Sequence, residues 1–105
     1  MGSMTWIDDR DTATPHRLRR SLCLIVADRP MPAALREVSG AGAWVETPAR
    51  PPQGARVTLR HPDAGTIEAE VVAHDLIGLR LAFGRDERAV AFALAVIAAD
   101  MSWPD

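Results

Sequence analysis

The chain has 105 residues, about half of them apolar and a quarter charged, with a net charge of −2. That length suits one domain whose core can stand without disulfides or a bound metal. The charge excludes a globally basic binder of long nucleic acid, though not a local basic patch, and a single cysteine excludes an internal disulfide framework.

Residues 1–15 are polar, carry "DDRD" and end at Pro15, which reads as a loose arm. Within it, Met1–Ser3 ahead of Met4 reads as a cloning scar. The segment "HRLRR" follows, with Arg17, Arg19 and Arg20 packed into four residues. All twelve basic residues of the chain are arginine. The planar guanidinium fork pairs with phosphate and guanine edges in ways lysine cannot.

"SLCLIVAD" over 21–28 is rich in β-formers and stops at "DRPMP", where two prolines mark a turn. Cys23, inside this run, reads as a buried and inert thiol. "AALREV" over 33–38 alternates only in part. "AWVET" over 43–47 sets Trp44 and Glu46 against Ala43, Val45 and Thr47. Between these two lie Ser39, Gly40, Ala41 and Gly42, a run of small residues suited to a corner. "PARPPQG" is a proline-rich loop that cannot supply ladder donors. "ARVTLRH" over 55–61 sets Val57 and Leu59 opposite Arg56, Thr58 and Arg60, and "PDAG" is a hairpin signal. "TIEAEVVAHD" over 66–75 puts Ile67, Ala69, Val71 and Ala73 on one face. "LIGLRLAF" over 76–83 does the same with Ile77, Leu79, Leu81 and Phe83. Six short strands at close spacing predict an all-β fold, a small antiparallel barrel.

After Gly84 the period changes. A helix is predicted over about 86–101, with Asp86 as N-cap and Val90, Leu94, Ile97 and Met101 at helical spacing. Such a helix can cover an open barrel end, and Phe83 and Phe92 fall on core faces. The expected organisation is the arm over 1–15 and one barrel domain over 16–105. The longest apolar stretch, "AVAFALAVIAA", is shorter than the ~20 residues that span a bilayer. With no signal-like N-terminus, a cytoplasmic protein without membrane insertion is expected.

An enzyme is not expected. "VSGAG" is not a Gly-x-Ser-x-Gly elbow, and His16, His61 and His74 show no spacing that suggests a triad or a metal site. Long nucleic acid has little to stack on, because the aromatics are few. What remains is the arginine cluster with "EVSGAG". Clustered guanidiniums can clamp a small anion, and a serine beside two glycines offers a hydroxyl, backbone N–H groups and room for close approach.

These two elements, in this order, resemble the PilZ domain, a bacterial receptor module for cyclic di-GMP, from about His16 to Met101. Members carry Arg-x-x-x-Arg just ahead of the first barrel strand and Asp/Asn-x-Ser-x-x-Gly entering a later strand, often continued as "GAFVET". Here "EVSGAGAWVET" matches at Ser39 and Gly42, and "GLRLAF" is similar to the family's closing strand. The resemblance implies a six-stranded antiparallel PilZ-like barrel capped by a C-terminal helix, with cyclic di-GMP as ligand and no metal or other cofactor. It implies that Arg17, Arg19 and Arg20 clamp phosphate and guanine, and that Glu37, Ser39, Gly40 and Gly42 complete the pocket. Arg20 stands as the second arginine, but His16 occupies the place of the first, so that Arg17 or Arg19 would substitute for it or His16 would contribute when protonated. Losing one bidentate arginine costs ~1–3 kcal/mol of binding. The arm would fold over bound ligand and so change the surface shown to a downstream protein partner. Degenerate family members are thought to work through protein contacts alone. On that second implication the helix and Trp103 would be the docking surface.

Overall fold

The computed structural model describes residues 16–18, 21–84 and 86–101. The expected arm over 1–15, Arg19, Arg20, Arg85, Trp103 and the side chain of His16 lie outside the described residues. In chain order the elements are β1 (His16–Arg17), β2 (Leu22–Val26), β3 (Pro30–Ser39), β4 (Gly42–Glu46), β5 (Arg56–His61), β6 (Gly65–His74), β7 (Gly78–Ala82) and α1 (Glu87–Met101). Strands β2 to β7 form a closed six-stranded antiparallel barrel in the order β3-β2-β5-β6-β7-β4, with β4 returning to β3. The expected fold class is therefore the observed one. The two-residue β1 pairs with the C-terminal half of β3, beyond the stretch that β2 covers.

Strict alternation builds the core. Val57 and Leu59 of β5, Ile67, Ala69 and Val71 of β6, and Leu79 and Leu81 of β7 all point inward. They meet Ile25, Leu35, Val38 and Val45 from the other strands. Burying each large aliphatic side chain contributes ~1.5–3 kcal/mol, which makes this interior the main source of stability. The hairpin after β5 turns at Gly65, whose φ of 86° is the left-handed conformation that glycine adopts without penalty. Cys23 is buried as expected, and burial pushes its thiol up to about 11.

Three details depart from the sequence reading. First, the turn after β2 occupies only 27–29, and Pro30 and Pro32 belong to β3. The carbonyl of Pro32 faces the β4 side, where Thr47 Oγ1 donates to it at 2.9 Å. Pairing with β4 begins only at Ala34. The missing proline N–H groups therefore point to an edge that carries no ladder there, which is where a strand tolerates proline. Second, Ile77 is 57% exposed, because it sits in the β6–β7 turn and not on the inner face of β7. Third, the helix buries a different stripe. Ala89, Phe92, Ala93, Val96 and Asp100 face the barrel, while Val90, Leu94 and Met101 are 37%, 61% and 68% exposed.

The helix starts where expected: Asp86 Oδ1 accepts the Ala89 N–H at 3.1 Å, an N-cap bond. Its apolar residues run almost all the way round, so periodicity alone could not choose the buried face. Shape decides it. Ala89 and Ala93 let the helix approach β3 and β6 closely, and Phe92 meets Phe83 edge to face at 5.7 Å.

Candidate functional site

The outer face of β1, β3, β4 and β7 carries a row of four side chains in lateral register. Arg17 pairs with Glu37, Glu37 with Trp44, and Trp44 with Arg80. Neighbouring strands lie ~4.8 Å apart, so the two arginines that end the row are roughly 15 Å apart at their backbones. Arg17 and Arg80 are exposed, and Glu37 and Trp44 are half-buried.

Two β-bulges shape this row. On β3 the register shifts between Leu35 and Glu37, and on β6 between Val71 and Ala73. Strict alternation would turn Glu37 inward. The extra residue, Arg36, lets Arg36 and Glu37 both face outward while Leu35 and Val38 stay in the core. This is why the alternation of 33–38 reads as partial. On β6 alternation already leaves Val72 outward beside the fully buried Val71, and the second bulge brings Ala73, expected on the inner face, opposite the outward Arg80.

Two adjoining cavities lie along the row. One of about 300 Å³ is walled by small and apolar residues, among them Ser39, Ala41, Gly42, Val72 and Ala82. The other, about 490 Å³, is walled by Arg17, Leu18, Arg36 and Asp75. Glu37, Trp44 and Arg80 line both and form the ridge between them. Arg36 is tied to Glu46 at 3.1 Å, and the Trp44 indole donates from Nε1 to Asp75 Oδ2 at 2.8 Å. Among the described residues the side chains of Arg17, Glu37 and Arg80 make no hydrogen bond or ion pair. The row therefore holds one fixed aromatic ring, two uncommitted guanidiniums and one uncommitted carboxylate.

The turn between β3 and β4 falls on the expected corner of small residues. Ser39 is only 8% exposed, and its Oγ accepts the Ala41 N–H at 3.0 Å, a local turn bond. At Gly42 the place of a Cβ is taken by the Leu81 carbonyl of β7. The backbone of a neighbouring strand uses that room, so Gly42 closes the barrel seam first and borders a cavity second. Gly40 lines neither cavity.

Of the sequence-predicted site residues, Arg17, Glu37, Ser39 and Gly42 thus come to one face, and Gly40 sits in the turn beside them. Arg19, Arg20 and the His16 side chain lie outside the described residues. Sequence reasoning missed Trp44, Asp75 and Arg80. Alternation did put Trp44 outward, but only the β4–β7 register brings Arg80 beside it.

A second polar cluster lies elsewhere, under α1. His61 is 6% exposed and packs edge to face on Phe92 at 6.4 Å. Its Nδ1 accepts the N–H groups of Asp63 and Ala64 at 3.1 and 3.2 Å. The ring proton must then reside on Nε2, which donates to Ser21 Oγ at 3.0 Å. Burial lowers the His61 pKa, partly offset by Asp63. A general base for serine needs a free Nε2, so this Ser–His pair holds the wrong tautomer for nucleophilic catalysis.

Among the described residues no group of three His, Cys, Asp or Glu side chains is placed to hold a metal ion. Nor is any described helix long and apolar enough to cross a membrane. No protein-family model matches the chain, and no curated protein matches it.

Proposed function

We propose that the chain is a PilZ-type receptor or adaptor that binds cyclic di-GMP in bacterial second-messenger signalling. It acts by binding and is not an enzyme, works in the cytoplasm, and uses no metal or other cofactor. The observation that carries this reading is the convergence of Arg17, Glu37, Ser39 and Gly42 along two adjoining cavities on one outer face of the barrel. Uncommitted guanidiniums beside a floor of small residues suit a ligand that is anionic and has flat bases. Arg17, Arg19 and Arg20 clamp phosphate and guanine. The arm then closes over the ligand and changes what a protein partner meets.

Calorimetric titration with cyclic di-GMP, with GTP and cyclic GMP as controls, tests the proposal. Saturable micromolar or tighter binding, selective over the controls and lost in Arg20→Ala, is expected. Absence of heat at high ligand concentration would overturn it.

One observation favours a second reading, a nucleotide-independent protein-interaction adaptor. Val90, Leu94 and Met101 form an exposed apolar stripe along the outer side of α1, and such a stripe suits a partner helix or groove. If Leu94→Glu abolishes partner binding while Arg20→Ala leaves it intact, this second reading replaces the first.

A further inference from the structure

We infer that Trp44 and Arg80, which belong to neither the arginine segment nor the Ser-x-x-Gly turn, form the sheet-borne half of the nucleotide site. In this arrangement Trp44 stacks on a guanine base, and Arg80 supplies a guanidinium where position 16 holds histidine. The inference rests on the cyclic di-GMP reading and deepens it.

Three observations carry it. Trp44 and Arg80 are direct cross-strand partners, and both line the two cavities on either side of the ridge. The indole is tethered at its nitrogen by Asp75, which restrains the ring before any ligand arrives. A ring already held in place loses little freedom on binding, which favours affinity. Arg80 is exposed and unpaired among the described residues, and it borders the charged cavity together with Arg17. A row that ends in an arginine on each side can hold an anionic group from both sides, with a stacking surface between. Base stacking on an aromatic side chain and a bidentate arginine contact are each worth about tenfold or more in affinity.

Asp75 is a positioning residue here. Its carboxylate is engaged with the indole N–H, and its part is to restrain the ring rather than to touch the ligand.

The test uses the full chain. Trp6→Phe and Trp103→Phe leave Trp44 as the only one of the three tryptophans. Its emission is followed during titration with cyclic di-GMP, and affinities are measured by calorimetry for the unaltered protein, Arg80→Ala, Arg80→Gln, Trp44→Ala and Trp44→Phe. Saturable quenching of Trp44 is expected. Arg80→Ala and Arg80→Gln are each expected to weaken binding about tenfold or more, as is Trp44→Ala, while Trp44→Phe keeps most of the affinity. Urea midpoints of the free variants confirm that each is folded, and Arg80→Gln serves if the alanine variant is not.

If the unaltered protein binds, the Arg80 and Trp44→Ala variants bind equally tightly, and Trp44 emission in the single-tryptophan protein is not quenched, this inference falls. The cyclic di-GMP reading then survives on the arginine segment alone. Quenching with unchanged affinity in the Arg80 variants overturns the arginine half only. If the unaltered protein does not bind, both the reading and the inference fall.

Discussion

Two polar clusters on this barrel differ in what they leave unused. Beneath α1, His61 has both ring nitrogens engaged, one with backbone N–H groups and one with Ser21, and its ring meets Phe92 edge to face. On the outer face of β1, β3, β4 and β7, the ends of the row, Arg17 and Arg80, have no side-chain partner among the described residues. A buried group must find its partners within the fold or destabilise it, whereas an exposed charge can wait for something from solution. The first cluster therefore belongs to folding, and the second is left available, as the proposed function requires. Gly42 warns against sorting by location alone, since it borders the candidate site yet serves the barrel seam.

The largest expected effect tests that last statement. Gly42→Val drives a side chain into the Leu81 carbonyl and should cost about 3 kcal/mol, the upper part of the range for overpacking. A lowered urea midpoint at unchanged slope would show it. A stable Gly42→Val protein that merely fails to bind ligand would move Gly42 into the binding class.

The His61 cluster comes next. Replacement by alanine leaves Ser21 without its buried partner and opens space beside Phe92, at a cost of about 2 kcal/mol. The same group sets a pH dependence. Because its folded-state pKa lies below the ordinary value of about 6.5, the unfolded chain takes up the proton first as pH falls. Its contribution is fully present above that ordinary value and is lost as pH drops through the lower, folded value. Urea midpoints should fall between pH 7.5 and pH 5, and His61→Gln should flatten that slope. An unchanged slope in the variant would assign the dependence to another group.

The smallest effect belongs to the row. Arg17→Ala should change stability by no more than about 0.5 kcal/mol, as for other exposed side chains away from packing features. A larger loss would mean that the row is part of the fold after all, and the contrast between the two clusters would disappear.

The strands were legible because the inner face of this barrel alternates cleanly. Val57 and Leu59, or Leu79 and Leu81, leave little choice of side. The two places where alternation breaks, at Arg36 and Ala73, are the bulges, and no local signal separates a bulge from a regular strand. The helix face was not legible, since apolar residues surround it and the choice falls to the fit of Ala89, Phe92 and Ala93 against the barrel. Of the candidate site, the part contiguous in sequence could be read: Glu37, Ser39 and Gly42 at one turn. Arg80 could not, because its place beside Trp44 is set by the pairing of two strands more than thirty residues apart.

The two prolines that open β3 have a consequence beyond the barrel's own hydrogen bonds. An unpaired strand edge is a template on which a second chain can add a strand and begin aggregation. Along the first residues of β3 the edge facing β4 lacks the N–H groups at Pro30 and Pro32, and the Pro32 carbonyl is already taken by Thr47. An incoming strand would find no donors at those two positions and one acceptor occupied. The stretch where this barrel's ladder is incomplete is thus protected against polymerising through that gap.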